Sequence, residues 1–164
     1  MSWIQKKLWQ WPDGLIWKIT DKPTRKSRWG KYELFISLIQ LKATETILDV
    51  GIAPYAFRGT KFLEQWYPYP KKIVALANDK AERFKDFKQT FPQVHLIFGD
   101  RKSLSFPDNH FDIVFCNAVV EHVGNLSEQK KFVEEFVRIG KKVFITTPND
   151  YCSVDTHTLV PFAH

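Results

Sequence analysis

Short apolar runs alternate along this chain with longer stretches in which apolar residues recur every three or four positions. The short runs are rich in Ile, Val and Phe and show little alternation, which is typical of strands covered on both faces. They lie at residues 46–50, 72–77, 94–98, 111–117 and 142–147. The longer stretches have the period of helices and lie at residues 31–41, 55–66, 79–90 and 127–139. The alternation predicts a doubly wound α/β domain with a mostly parallel sheet of about five strands.

The helical stretches carry start and stop signals. Pro54 suits the first position of the second helix. Asn125 and Glu128 have the spacing of a capping box before the fourth helix, and Gly140 follows it as a stop. Each helix is expected to cover the sheet with one apolar side. The predicted inward residues are Leu34, Phe35, Leu38 and Leu41 in the first helix, Phe84 and Phe87 in the third, and Phe132, Val133, Phe136 and Val137 in the fourth.

The first 30 residues differ from the rest of the chain, and residues 31–164 form the predicted domain. Residues 1–20 are aromatic and basic, include Trp3, Trp9, Trp11 and Trp17, and are broken at residues 12–14. Two interpretations stay open for this segment: a lid packed across the carboxyl edge of the sheet, or a contact with a membrane surface. The lid is preferred, because exposed apolar patches on soluble domains are more often covered than left for lipid.

The composition is that of a folded domain with a basic surface. The chain has 164 residues, 44% of them hydrophobic, a net charge of +6 and a pI of about 9.3. This charge favours loose attraction to anions, but the lysines are scattered and no stripe of Arg with aromatic residues is present, so specific nucleic-acid binding is not expected. Cys116 and Cys152 form no C-x-x-C pair, which argues against a disulfide framework and against a zinc or other metal site.

The sequence gives no targeting signal. Lys6, Lys7 and Asp13 interrupt the apolar residues at the start, which argues against a secretory signal. No apolar run is long enough to span a bilayer. A reducing, cytoplasmic location is therefore the expectation.

In an open parallel sheet, ligands bind beyond the carboxyl ends of the strands, so the residues there form the candidate site. Gly51 lets the backbone approach a ligand closely, and the Asp49 carboxylate can accept hydrogen bonds from an ammonium group. Side-chain oxygens after the second and third strands could hold ribose hydroxyls and an adenine amino group. The alternative, in which the acids only cap helices and turns, fits one or two of them better than all. The candidates are Asp49, Gly51, Ile52, Ala53, Asn78, Asp79, Gly99, Asp100, Arg101, Asn117 and Ala118.

One long run carries a family resemblance. The run GDRKSLSFPDNHFDIVFCNAVVEHV, at residues 99–123, resembles the class I S-adenosylmethionine-dependent methyltransferases, in particular their small-molecule type 11 branch. ILDVG, at residues 47–51, is similar to the first motif of that family, and VFITTPND, at residues 143–150, is similar to its fifth strand and following loop. The resemblance covers about residues 41–149. It implies a Rossmann-like sheet of strand order 3-2-1-4-5 and S-adenosylmethionine as cofactor.

The resemblance also implies roles for the candidate residues. In the family, the first motif approaches the methionine and ribose parts of the cofactor, and an acid after the second strand holds the ribose. A residue after the third strand reaches the adenine amino group, and the segment after the fourth lines the methionine end. Here Asp49 and Gly51 correspond to the first motif, and Asn78 or Asp79 corresponds to the ribose acid. Asp100, with Arg101 beside it, corresponds to the adenine-binding residue. Asn117 and Ala118 correspond to the segment at the methionine end.

The chain departs from the family pattern at three places. Ala53 and Tyr55 stand where the family's turn has its second and third glycines, and Pro54 removes a backbone N–H that a phosphate would need. At the ribose position, Ala77 stands where the acid is expected, unless Asp79 reaches in. The family usually has two further strands after the fifth, which this chain lacks, so it is either a shortened version or a fragment.

The predicted function is methyl transfer from S-adenosylmethionine to a small-molecule acceptor, with in-line displacement at the sulfonium carbon. The aromatic N-terminus suggests a hydrophobic acceptor. His122, just past the fourth strand, is the candidate base for a hydroxyl acceptor. A core or backbone-bonding role for His122, an anchoring role for Glu121, and His157 as a second histidine at the acceptor stay open.

Three other functions are compatible with parts of the sequence pattern. A non-catalytic or degenerate S-adenosylmethionine-binding partner subunit is favoured by the altered glycine turn, the uncertain ribose acid and the missing strands. A nicotinamide-dependent oxidoreductase would need a richer glycine turn. An enzyme that methylates a base amino group would be expected to carry an Asn/Asp-Pro-Pro-aromatic motif, where this chain has Asn-Ala-Val-Val at residues 117–120. The exposed edge after the fifth strand could pair with a second copy of the chain.

Overall fold

The computed structural model describes residues 15–53, 61–78, 80–100 and 104–147, with side chains from Arg25 onward. The helices are α1 (Leu15–Ile39), α2 (Phe62–Trp66), α3 (Lys85–Thr90) and α4 (Leu126–Ile139). The strands are β1 (Ile47–Val50), β2 (Ile73–Ala77), β3 (His95–Phe98), β4 (Phe111–Asn117) and β5 (Gly140–Thr146). Short 3-10 turns lie at Pro70–Lys72, Ala81–Phe84 and Val120–His122.

The five strands form one parallel sheet of order β3-β2-β1-β4-β5. Strand β1 lies at its centre, so Asp49 pairs with Ala75 on one side and with Phe115 on the other. The predicted α/β class and strand order are confirmed, and each strand falls within two residues of its predicted bounds. A change of strand order at β1 and β4 places a ligand crevice at the carboxyl ends of these strands.

Two apolar layers cover the two faces of the sheet. One contains α1, α2 and α3, and its centre is Phe115, whose ring meets Phe35 at 5.0 Å, Phe62 at 5.4 Å and Phe144 at 5.6 Å between centroids. The other is built by α4 around Phe132 and Phe136. Each fully buried Phe stabilises the fold by roughly 1.5–3 kcal/mol. The sheet is thereby held firmly enough to fix the position of the loops at its carboxyl edge.

Helix α1 differs from the prediction in its start and in its buried side. It begins at Leu15, well before residue 31, so the predicted domain boundary lies inside it. From Arg25 onward, where side chains are described, its buried residues are Tyr32, Phe35 and Ile39, whereas Leu34 and Leu38 are exposed. The stripe 32, 35, 39 follows the helical period, and it turns the two leucines away from the sheet. The prediction was therefore right for Phe35 and wrong for Leu34 and Leu38.

Helix α4 begins and ends where its signals predict. The Asn125 side chain accepts from the Glu128 backbone N–H at 3.1 Å, and the Glu128 carboxylate accepts from the Asn125 N–H at 3.0 Å. The helix ends at Ile139, and Gly140 opens β5 in a position where a Cβ would lie 2.6 Å from Val114 Cγ2. Phe132 and Phe136 are buried as predicted, but Val137 is exposed, because its place in the period is the solvent side.

The remaining elements need smaller corrections. Strand β3 is an edge strand with its residues exposed or half-buried, so the prediction of cover on both faces is wrong there. Phe84 and Phe87 are buried as predicted, although the chain enters α3 through a 3-10 turn. Helix α2 begins at Phe62, since Lys61 before it has non-helical backbone angles, and residues 54–60, where the prediction placed the start of this helix, lie outside the described residues. Among the described residues, no helix is long and apolar enough to cross a membrane.

Candidate functional site

The turn after β1 is closely packed at the carboxyl edge of the sheet. Gly51 has φ +87°, and the backbone N–H groups of Gly51 and Ile52 both donate to the Leu76 carbonyl, at 3.0 and 3.3 Å. A Cβ on Gly51 would lie 2.5 Å from Val119 Cγ2, so a side chain has no room there. The chain therefore needs glycine at this position, both for its φ and for the contact between the β1 turn and the loop after β4.

Three charged side chains lie buried behind this turn. Asp49, Lys61 and Glu64 are 7%, 5% and 4% exposed. Asp49 alternates with Leu48 and so lies on the same face as Ile47, where α2 packs. Lys61 immediately precedes α2 and donates from Nζ to the Ala53 carbonyl at 2.5 Å. We call Asp49, Lys61 and Glu64 the buried trio.

Burial shifts the titration of every member of the buried trio. It raises the pKa of Asp49 well above the ordinary value, and the Glu64 carboxylate raises it further, while Lys61 opposes both. Burial also raises the pKa of Glu64, against the pull of Lys61. The pKa of Lys61 is lowered by burial, and the two acids oppose that shift. The two carboxyl groups together therefore keep a proton to a higher pH than isolated carboxyl groups would.

Sequence reasoning identified Asp49 and missed Lys61 and Glu64. Residues that directly follow strands are the expected ligand contacts in such a sheet, whereas these two residues come from the start of α2. A signal was nevertheless present: two charged residues three positions apart, in a stretch whose neighbours Phe62 and Leu63 are apolar. Charged residues at that spacing share a helix face, and here that face points at the sheet.

The ends of β2 and β3 form an open part of the edge. Ala77 ends β2 and is fully buried, and the Gly99 N–H donates to its carbonyl at 3.1 Å. Asn78 and Asp100 follow their strands directly and are exposed. Ala77 therefore stands at the strand end where the family's ribose acid was expected, and Asn78 is the first polar side chain beyond it. Asp79 and Arg101 lie outside the described residues, as do Pro54, Tyr55, Cys152 and His157.

The end of β4 is fixed by hydrogen bonds to β5 and α1. The Asn117 Oδ1 accepts from Thr146 Oγ1 at 2.7 Å and from Lys31 Nζ at 3.4 Å. Ala118 has φ +54°, in the left-handed region, and its N–H donates to the Thr146 carbonyl at 2.8 Å. An alanine held at positive φ is unusual and stores local strain, which clusters at functional sites.

A short turn beyond β4 carries Glu121 and His122. Both carboxylate oxygens of Glu121 are shielded from water and have no hydrogen-bond partner among the described groups. Lys31 lies close enough that Glu121 raises its pKa, although burial and Arg28 lower it more strongly. The His122 side chain is exposed, and the His122 backbone N–H donates to the Val119 carbonyl at 3.0 Å. The described residues contain no cluster of His, Cys, Asp and Glu placed to hold a metal ion.

The structure thus brings the predicted site residues to one edge, in two environments. Gly51, in the turn that continues through Ile52 and Ala53, lies against Val119 of the loop that follows Asn117 and Ala118, with Asp49 buried behind it. Asn78, Gly99 and Asp100 lie on the solvent-exposed side of the same edge. The arrangement can hold a ligand that has one part at the enclosed turn and another part along the open side.

Solved structures share this fold at low sequence identity. The YcgJ protein of Bacillus subtilis is 20% identical with a TM-score of 0.55, covering 79% of this chain and 54% of that one. The PH0226 protein of Pyrococcus horikoshii is 22% identical with a TM-score of 0.55, covering 74% and 57%. A SAM-dependent methyltransferase of Aquifex aeolicus is 21% identical with a TM-score of 0.54, covering 72% and 64%. The chain thus spans less than two thirds of the length of each of these proteins.

Comparison with curated proteins and with family models gives the remaining evidence. No curated protein matches this sequence significantly. A family model described as a methyltransferase domain matches residues 58–143, which is more than half of the chain. With the sheet order and the glycine turn, this match shows that the chain belongs to the class I S-adenosylmethionine-dependent methyltransferases, in their type 11 branch.

Proposed function

We propose that this chain is an S-adenosylmethionine-dependent methyltransferase that acts on a small-molecule acceptor. The turn at Gly51 is the observation that carries the proposal. Gly51 has a positive φ and leaves no room for a Cβ beside Val119. This position at the carboxyl end of the central strand is therefore occupied by main-chain atoms and by no side chain. A ligand can therefore approach the main chain closely there.

The residues present fit the donor that the family implies. The turn of Gly51, Ile52 and Ala53 suits the methionine part, which is zwitterionic and needs no phosphate cradle. Asn78 can hydrogen-bond ribose hydroxyls, and the Asp100 carboxylate can accept from an adenine amino group. Ala77 cannot hydrogen-bond through its side chain, so ribose binding depends on the residues that follow it.

For methyl transfer itself, the protein mainly has to align the reacting groups and exclude water. S-adenosylmethionine, when bound, supplies a methyl group on a positively charged sulfur that leaves as a neutral thioether. Asn117 is held by Thr146 and Lys31 at the end of β4, where it can position the reacting groups. His122 lies in the next turn of the chain, and its side chain is exposed. It could there take a proton from a hydroxyl acceptor.

One observation favours a second candidate function. The buried Ala77 ends β2, where the family resemblance implies a ribose acid, and loss of such a contact typically weakens binding more than it changes the ligand. A domain that binds S-adenosylmethionine weakly, without transferring its methyl group, could serve as a regulatory partner subunit. Both functions include binding of S-adenosylmethionine, but only the first includes transfer of its methyl group.

Calorimetry followed by a transfer assay tests the proposal. The full chain is titrated with S-adenosylmethionine and with S-adenosylhomocysteine, and then incubated with labelled donor and a panel of small hydroxyl, amine and thiol compounds. Heat of binding and label in a small-molecule product are the expected results. Binding without transfer to any compound would favour the partner-subunit function, and absence of binding to both ligands would contradict both functions.

A further inference from the structure

The buried trio is unusual because it holds two acids and only one base away from water. All three side chains are less than a tenth exposed. Both Glu64 oxygens are shielded from water and have no hydrogen-bond partner among the described groups. Glu64 lies near enough to Asp49 to act on its carboxyl group, and two neighbouring carboxyl groups can hydrogen-bond to each other only when one of them carries a proton.

The trio contacts the donor turn directly. Lys61 donates to the Ala53 carbonyl, and Ala53 lies two residues after Gly51. Asp49 lies two residues before Gly51 on the other side of the turn. Any change in the charge of the trio therefore acts on both ends of the turn that approaches the ligand.

Charge balance suggests what the trio does. With one proton on the acid pair and a charged Lys61, the trio is neutral; without that proton its net charge is negative. The methyl donor has a net positive charge through its sulfonium, whereas its demethylated product is a neutral zwitterion. A negative charge in a weakly polar surrounding stabilises a nearby cation and does little for a neutral molecule.

We propose that the buried trio of Asp49, Lys61 and Glu64 is a proton-linked charge site, which gives up one proton when the cationic donor binds and so favours the donor over its neutral product. This inference rests on the proposed function, because it needs the donor at the turn. It adds a way for the protein to bind donor and release product at one site. The proton passes to solvent, and no covalent bond changes.

The surroundings of the trio support this assignment. The charged groups that face Asp49 within the described part are Glu64 and Lys61, both from the segment around α2. The apolar ring of Phe87 also lies close, with its centroid 5.4 Å from Lys61 Nζ. Within the described residues, the acid pair is the acidic group directly behind the donor turn, where it can respond to the donor.

Calorimetry in two buffers measures the proposed proton release. Each ligand is titrated into the full chain at one pH in phosphate and in Tris, whose ionisation enthalpies differ, so that the difference in heat counts protons. About one proton is expected to leave when S-adenosylmethionine binds, and fewer when S-adenosylhomocysteine binds. The ratio of donor to product affinity is expected to rise with pH, by up to about tenfold per pH unit while the pair holds its proton.

Glu64→Gln is the matching variant, and Glu134→Gln, on the exposed side of α4, is its control. The first should lose both the proton release and the pH-dependent ratio, and the second should keep them. If Glu64→Gln does not fold, the buffer comparison on the unaltered chain decides alone. Binding of both ligands with equal proton counts and a pH-independent ratio would overturn the inference while leaving the proposed function intact. Binding of neither ligand would instead overturn the proposed function.

Discussion

Two aspartates on neighbouring strands have opposite surroundings. Asp112, near the start of β4, accepts hydrogen bonds from the Thr46 N–H at 2.9 Å, from Thr46 Oγ1 at 3.1 Å and from Lys141 Nζ at 2.8 Å. These donors lower its pKa from 3.8 to about 2. Asp49, near the end of β1, is buried beside a second acid, and its pKa is raised well above the ordinary value.

The difference separates a structural carboxylate from a candidate functional one. Asp112 fastens β4 to the residue before β1 and is satisfied by donors, as expected where only stability matters. Asp49 occupies a place where its ionised form is unfavourable unless a positive charge is nearby. Proteins tend to keep such groups at sites of function, where strongly perturbed pKa values cluster. The contributions of these two carboxylates to stability should therefore change with pH in opposite directions.

The largest expected effect comes from closing the turn in front of Asp49. Gly51→Ala should destabilise the protein by roughly 2–4 kcal/mol, because the residue has φ +87° and its Cβ would meet Val119 Cγ2 at 2.5 Å. Donor affinity should fall at least about tenfold, since the turn must move. Denaturant unfolding and calorimetry measure the two effects.

Two further variants show whether the contact with Val119 is the cause. Gly30→Ala, in α1, has nothing within 4 Å of the added Cβ and should leave stability unchanged or slightly raised. Adding Val119→Ala to Gly51→Ala should restore part of the lost stability. If Gly51→Ala proves as harmless as Gly30→Ala, the turn is not enclosed as described.

The second effect concerns the structural carboxylate. Asp112→Asn should destabilise the protein by about 1–3 kcal/mol near neutral pH, because two backbone or hydroxyl donors and one ammonium lose an ionised acceptor. The pKa of Asp112 is lower in the folded protein, so its contribution is present above 3.8 and is lost as pH falls through about 2.

Unfolding curves at several pH values check this sign. The unaltered protein and Asp112→Asn should differ most at neutral pH and converge in acid. A difference that stays constant down to the acid end of the range would mean that shape, and not charge, holds Thr46 and Lys141 in place.

The contrast between the two aspartates also shows what the sequence could predict. Uniform apolar runs gave all five strands, and the Asn125–Glu128 spacing gave the start of α4, since both signals are local. The exposed positions of Leu34 and Leu38 were not predicted. Adjacent apolar residues on a helix are compatible with two buried sides, and only the partner surface selects one.

The buried trio could not be predicted from the sequence, for a different reason. Lys and Glu are almost never fully buried unless paired, so Lys61 and Glu64 are first interpreted as solvent-facing residues of a helix. Their role follows from where α2 packs, behind the turn after β1, which is a property of the tertiary structure. By contrast, Gly51 could be identified as essential from its place directly after a buried strand, because that argument needs only local backbone geometry.

The smallest expected effect, that of Asp49→Asn, is also the most direct test of the difference between Asp49 and Asp112. Asp49→Asn should stabilise the protein by about 1 kcal/mol at alkaline pH, because the amide removes the unfavourable ionised form and can donate to Glu64. Since the folded pKa of Asp49 is raised, its favourable contribution is fully present below 3.8 and is lost as pH rises through the folded value. The gain from Asp49→Asn should therefore be near zero in acid and grow as pH rises, opposite to the trend for Asp112→Asn. Thermal unfolding of both variants across the same pH series measures this, and a loss of stability in Asp49→Asn at alkaline pH would show that ionised Asp49 is as well satisfied as Asp112.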